Sequence, residues 1–256
     1  MPEVTVLPTP KDLEGFDLSG STAVVIDVLR ATSSMAQALS SGCERIIPAK
    51  SEEEALALKK NFPEALLCGE RRGRKISGFD LGNSPAEYVS SSVKGKVLIM
   101  TTSNGTRTIA AAREKGAVEI FMCSFLNLGK TAAVLSQRLL AAERQVSSRK
   151  PSLAVICSGS HGEFSLEDFA CAGALIERMT GQEGLIKPEL TLTESAVEAV
   201  SLYRRYNGDI MRILDDSQHG RYLRSIGFGH DLLFCSKVDS LKIVPCLSEA
   251  GIVAFQ

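Results

Sequence analysis

The chain has no tryptophan and only four tyrosines, and aromatic residues make up 5% of its 256 positions. Proteins that hold single-stranded nucleic acid combine stacking rings with a basic groove. Few rings and a formal net charge of −1 argue against a nucleic-acid partner. No apolar run approaches the roughly 18 residues of a membrane span. Runs such as residues 23–26 and 97–100 have the length of buried strands, so no membrane partner is expected. The start, MPEVTVLPTPKDLEG, lacks the basic and apolar stretches of a signal peptide, which predicts a cytoplasmic protein. The seven cysteines have no CxxC spacing. An odd, dispersed set fits a reducing compartment better than a disulfide framework or a zinc cluster.

Several catalytic signatures are missing too. There is no G-x-G-x-x-G for a dinucleotide and no G-x-x-x-x-G-K-[ST] for a nucleotide phosphate. A G-x-S-x-G elbow for a serine hydrolase is absent. Asp27 is followed two positions on by Leu29, so the Asp-x-Asp pair of haloacid-dehalogenase-type phosphatases lacks its second acid. Cys68 and Arg74 match the Cys-x5-Arg loop of thiol phosphatases, but Leu67 precedes and Lys75 follows, so the match fixes only two positions.

What is present is alternation. Short apolar runs at 23–28, 44–48, 65–68, 96–100, 118–123 and 153–157 read as strands. Between and after them, 33–41, 51–60, 106–115, 130–145 and 166–180 read as helices, with Gly42 and Gly116 ending two of them. Such alternation predicts a three-layer α/β/α fold with a mainly parallel or mixed sheet. Residues 194–215 read as one more helix, 217–227 as a polar, basic stretch, and 243–245 and 252–255 as short strands. No linker composition divides the chain, so residues 1–256 are expected to form a single domain. Two β-loop-α units share one offset, which sets Asp27 on Thr101, Thr32 on Thr106 and Gly42 on Gly116. Duplication explains this, and so does common β-loop-α grammar.

Ligands of open α/β sheets bind where strands end and loops lead into helices. Asp27 lies at the end of an apolar strand, and Arg30 and the hydroxyls of Thr32, Ser33 and Ser34 follow at a helix start. Free N–H groups there favour anions, while a lone hydroxyl is also an ordinary N-cap. The run Thr101-Thr-Ser-Asn-Gly-Thr-Arg107 offers hydroxyls, an amide and backbone N–H groups as an anion cradle, or a simple Asn-Gly turn. The stretch 157–168 brings Glu163, Glu167 and Asp168 close together, as Mg²⁺ ligands or as an acid-rich helix start. In 68–84, Glu70 lies among Arg71, Arg72, Arg74 and Lys75 and several glycines, as a mobile loop over an anion or a solvated face.

At these loops the sequence resembles the 2-phosphosulfolactate phosphatase family. The matching segments are VVIDVLRATSS, CGERRGRKISGFDLGNSPAEY, TTSNGTR and GEFSLEDFACAG, in the family's order, with His219-Gly and Gly227-Phe-Gly-His-Asp231 in the tail. The resemblance implies Mg²⁺-dependent hydrolysis of (2R)-2-phospho-3-sulfolactate, a step toward coenzyme M. Loops and resemblance together designate Asp27, Glu70 and Glu163 as catalytic, and these three with Asp168 as Mg²⁺ ligands. Substrate contacts are expected from Arg30, Thr32, Ser33, Arg71, Lys75, Asn83, Thr102, Ser103, Asn104, Gly105, Thr106, Arg107 and Gly159. Asp27 either ligates Mg²⁺ or forms an aspartyl-phosphate.

The substrate carries phosphate, sulfonate and carboxylate on three carbons, so several cations must each reach a different anion. Arginine suits that task. Two rivals remain: a non-catalytic receptor for a phosphorylated metabolite, which would need the cations but not the acids, and a nucleotide-binding oxidoreductase. A homo-oligomer is compatible with the sequence.

Overall fold

The computed structural model describes residues 1–143, 152–181 and 188–255. In chain order the elements begin β1 (Glu3–Leu7), α1 (Pro10–Glu14), β2 (Thr22–Ile26), α2 (Ala31–Ser40), β3 (Arg45–Pro48) and α3 (Glu52–Asn61). Next come β4 (Leu66–Arg71), β5 (Arg74–Lys75), α4 (Ser90–Val93), β6 (Val97–Thr101), α5 (Gly105–Glu114), β7 (Glu119–Cys123) and α6 (Leu128–Glu143). The chain continues with β8 (Ser152–Cys157), α7 (Leu166–Gly181), β9 (Thr191–Leu192), α8 (Glu194–Arg205) and α9 (Ile210–Asp216). It closes with α10 (Gln218–Ser225), α11 (Gly229–Cys235), β10 (Pro245–Ser248) and β11 (Gly251–Ala254).

These strands form one mixed sheet in the order β5-β4-β6-β3-β11-β10-β7-β2-β8-β1-β9. β4, β6 and β3 are mutually parallel neighbours, as are β7, β2, β8, β1 and β9. The antiparallel hairpin β10–β11 lies between the two parallel groups and is antiparallel to both β7 and β3.

The apolar strands are buried on both faces, and the two-residue period sorts their side chains. Ala23 and Val25 of β2 pack with Ala31, Met35 and Ala38 of α2 and Ile109 and Ala112 of α5. Val24 and Ile26 face the other way, onto Leu135 of α6 and Leu175 of α7. Leu98 and Met100 of β6 join the first cluster, whereas Ile99 packs with Leu67 and with Ala55 of α3. Helices therefore cover both faces, in three layers.

The repeat is real in the structure, with one adjustment. The five-residue β2 and β6 and the ten-residue α2 and α5 correspond, but residues 27–30 link the first pair and only 102–104 the second. Asp27 therefore corresponds to Thr102 rather than Thr101. The same closure recurs: the Asp27 N–H donates to Thr32 Oγ1 (3.1 Å) and the Thr102 N–H to Thr106 Oγ1 (3.0 Å). The sheet order repeats it as well, since β6-β3-β11 mirrors β2-β7-β10 about the centre of the hairpin.

Other expectations shift. The helix expected over 194–215 breaks at Asn207 and Gly208, both with positive φ (50° and 76°). The stretch 217–227 contains helix α10, capped by Ser217 Oγ accepting from the Gly220 N–H at 2.9 Å. The end of the helix expected over 130–145 lies outside the described residues.

Candidate active site

The loops after β2, β4, β6 and β8 meet, and Asp27 is at their centre. Its Oδ1 accepts the Ala31 N–H at the start of α2 (3.1 Å), and its carboxylate also accepts the Gly105 N–H at the start of α5. The two helix starts touch: a Cβ on Gly105 would lie 2.6 Å from Ala31 Cβ and 2.8 Å from Asp27 Oδ2. Glu70, on β4, accepts the Gly73 N–H through Oε2 (2.7 Å) and the Ser103 N–H through Oε1 (2.8 Å). The amides that the sequence offers as an anion cradle are thus held by this protein's own carboxylates. Burial pushes the Asp27 carboxyl up to about 7, and the negative charges of Glu70 and Glu167 add to that against its hydrogen bonds to backbone N–H groups.

Two connected spaces open here. The inner cavity, about 20 Å³, is lined by Asp27, Arg30, Glu70, Asn83 and His219 among others. It has room for roughly one water-sized occupant. The outer groove, about 680 Å³, has Arg71, Arg107, Ser158 and Gly162 on its walls and Pro10, Leu13 and Ala111 as apolar surface. Arg72, Ser103, Asn104 and His161 line both spaces. A separate concavity of about 470 Å³ between α7 and α8 is lined by Ile176, Leu192 and Val200, and no carboxylate is among its described lining residues.

The expected residues divide accordingly. Asp27, Arg30, Glu70, Asn83, Ser103 and Asn104 line the inner cavity, and Arg71 and Arg107 the groove. Arg30 is not a free cation. The residue is 2% exposed, and its guanidinium pairs with Asp231 Oδ2 at 2.6 Å, donates to the Gly73 carbonyl and lies 4.5 Å from the Phe228 ring centroid. Thr32, Ser33, Thr102 and Thr106 are buried, and their hydroxyls bond backbone groups of their own loops or of β7. Gly105 supplies the close approach just described. Lys75 is exposed and reaches the Asp80 carbonyl (3.4 Å), away from both spaces.

Glu163 and Asp168 depart most from expectation. The Glu163 side chain is 73% exposed and pairs with Lys11 at 2.7 Å, because the 158–163 loop turns it outward. Asp168 is buried and accepts the Val28 N–H (2.8 Å) and the Gly159 N–H (3.1 Å), so it ties two site loops to α7 instead of facing the cavity. Gly159, at φ 66°, leaves no space for a Cβ, which would meet the Glu163 carbonyl oxygen at 2.4 Å. Cys68 is fully buried and its thiol is pushed up by that burial, so it has no thiolate character, and Arg74 is an exposed residue of β5. The Cys-x5-Arg match is coincidental.

The tail supplies residues that loop motifs did not reveal. His219 and Tyr222 of α10 line the inner cavity, and Tyr222 donates to the Arg72 carbonyl (3.0 Å). Burial, then the Arg30 charge, lowers the His219 pKa to about 4, so the ring is uncharged at neutral pH. Asp231 also accepts from Ser84 Oγ, which ties α11 to the segment beside Asn83. The tail resemblance at His219 and Asp231 was the only sequence signal for them.

Among the described residues, no three His, Cys, Asp or Glu side chains are grouped as a metal site. The inner cavity nonetheless has oxygen donors for a hard cation. Asn83 is buried and its Oδ1 has no hydrogen-bond partner among the described residues. With Asp27 and Glu70 it makes an all-oxygen set, and Mg²⁺ is commonly held by one or two carboxylates while keeping waters. The residues fit such an ion.

Fold and site define the class: a three-layer α/β protein with an acid-lined cavity, opening into an arginine-walled groove where strands end. The family model described as 2-phosphosulpholactate phosphatase matches residues 7–250. A protein of Symbiobacterium thermophilum called "Probable 2-phosphosulfolactate phosphatase" is 37% identical over 94% of this chain and 97% of its own length. Proteins with the same name from Thermotoga petrophila and Clostridium acetobutylicum are 40% identical over 88% of each chain, and 36% identical over 98% of this chain and 100% of theirs. The chain belongs to the 2-phosphosulfolactate phosphatase family.

Proposed function

We propose that the protein is a phosphoric monoester hydrolase that converts (2R)-2-phospho-3-sulfolactate and water to (2R)-3-sulfolactate and phosphate, with Mg²⁺. The carrying observation is the inner cavity. Buried Asp27, Glu70 and Asn83 line one water-sized space, beside a groove walled by arginines, and Asn83 Oδ1 has no hydrogen-bond partner among the described residues. A receptor for a phosphorylated metabolite has no need to bury two carboxylates next to its anion.

Asp27, Glu70 and Asn83 would hold the ion, which when bound would neutralise phosphoryl charge and make a water easier to deprotonate. The remaining work belongs to the chain. Arg72, Ser103 and Asn104 line both spaces and orient the phosphoryl group at their junction. Water attacks phosphorus, the bond from phosphorus to the C2 oxygen breaks, and the leaving oxygen takes a proton. Uncharged His219 offers one N–H and one lone pair to position the water or a phosphoryl oxygen. Both helix-start amides on Asp27 keep its carboxylate fixed, which supports the ligand role over an aspartyl-phosphate.

Phosphate release is the test. Activity is expected with Mg²⁺ and is abolished by EDTA. Full activity in EDTA would remove the metal role, and no release from the substrate under any condition would favour the receptor. In ¹⁸O-water under single turnover, label is expected in phosphate only, and label in the Asp27 carboxylate would establish the phosphoenzyme.

A further inference from the structure

The outer groove contains a feature that phosphate hydrolysis leaves unused. Ser158, directly after β8, is completely buried, yet its hydroxyl has no hydrogen-bond partner among the described residues. A buried hydroxyl without a partner is costly, and native proteins rarely tolerate one unless something else satisfies it. Ser158 lines the outer groove and is not part of the inner cavity's lining. Arg107 has the same placement, and apart from one long contact, Nε to the Lys50 carbonyl at 3.3 Å, its guanidinium has no ion-pair partner among the described residues. Arg71 differs, being committed to Glu52 (3.2 Å) and Thr101 Oγ1 (3.0 Å).

Size decides which part of a ligand meets these groups. The inner cavity, at about 20 Å³, has no room for a three-carbon molecule, whereas the groove, at about 680 Å³, does. A phosphoryl group at the junction leaves the carbon skeleton in the groove, against Leu13 and Ala111. We infer that Ser158 and Arg107 form a subsite for one of the two non-reacting oxyanions of the substrate, the sulfonate, and so select sulfonated phosphate esters over those that lack this group. This rests on the phosphatase reading but concerns a different part of the molecule from the reacting group. Ser158 donates its O–H to one sulfonate oxygen, and Arg107 provides the charge.

Two measurements test it. In the first, kcat/KM is determined for 2-phospho-3-sulfolactate and for 2-phospholactate, which lacks only the sulfonate. The wild-type preference for the sulfonated ester is expected to fall roughly tenfold or more in Ser158→Ala and in Arg107→Gln, as for a lost hydrogen bond to a charged group. Ser158→Ala should melt no lower than the wild type, because the substitution removes an unpaired buried hydroxyl. An equal effect on both esters, or no effect, overturns the subsite. In the second, calorimetric titration with 3-sulfolactate and with lactate requires no turnover. Tighter binding of sulfolactate, with the difference lost in Ser158→Ala, supports the subsite. Equal binding of the two by the wild type overturns it. Hydrolysis of neither ester, with that binding difference intact, would reject the phosphatase reading and leave the subsite standing.

Discussion

Asp27 sits where two helix starts meet, and that position sets its charge. Its pKa is raised from 3.8 to about 7, chiefly by burial. A carboxyl whose folded pKa exceeds its unfolded value contributes stability that is fully present below about pH 4 and is lost as pH rises through about 7. In EDTA, the protein should therefore lose on the order of a few kcal/mol between pH 4 and pH 8 from this group. Asp27→Asn should flatten that profile in denaturant titrations while lowering phosphate release by several orders of magnitude; an unchanged profile would show that the carboxyl is not buried as described. Gly105 is the other half of the same contact. A methyl there meets Ala31 and Asp27, so Gly105→Ala should cost about 1–3 kcal/mol by overpacking and also lower kcat/KM by displacing Asp27. Equal stability and activity in that variant would mean that the helix starts can part freely.

At the scale of elements, α10 and α11 form a wall of the site through a few buried contacts. Arg30 and Asp231 are both essentially buried and face each other across the boundary between loop and tail. Breaking such a pair leaves an unpaired buried charge, so Asp231→Ala should destabilise by about 3–5 kcal/mol in denaturant titrations. The double variant Arg30→Met with Asp231→Leu should recover much of that stability without recovering activity. Recovery of both would show that the pair only fills space. The sequence pattern revealed the strands β2, β6 and β8 and the helices after them, because their apolar residues follow the periods of buried elements. It did not reveal β1, whose EVTVL is short and follows the start directly, or α10, whose QHGRYLRS has little apolar content. Asp27, Glu70, Asn83 and the 102–104 loop, all expected at one sheet edge from their places after strands, line one cavity. The outward turn of Glu163 is not legible in the sequence, because spacing says which loop a side chain belongs to and not which way it points. His219 is marked only by the tail resemblance and by no loop motif, for a related reason: its contact with the cavity comes from long-range packing of the tail.

The whole molecule is two parallel half-sheets joined by one hairpin, with the site drawn from both. Asp27 and Arg30 follow β2 on one side, whereas Glu70 and Ser103 belong to β4 and the loop after β6 on the other. The hairpin's register with its neighbours is narrow: Cys246 opposite Phe121 on β7, and Ile252 opposite Ile46 on β3. Gly251 makes the second contact possible. Its φ is 119°, and a Cβ there would lie 2.7 Å from the Ile46 carbonyl oxygen. Gly251→Val should therefore cost upwards of about 1–3 kcal/mol, from the strained backbone alone. Its effect should extend beyond stability, because β11 can no longer seat against β3 and the two halves lose a fixed relation. Amide exchange at Ile46 and Ile252 should quicken relative to that in β2 and β8, and kcat/KM should fall although Gly251 lines neither the inner cavity nor the groove. If stability drops while kcat/KM stays at the wild-type value under conditions where the protein remains folded, the site is held together by its own loops, through Asp27 on Gly105 and Glu70 on Ser103, and the hairpin serves only the sheet.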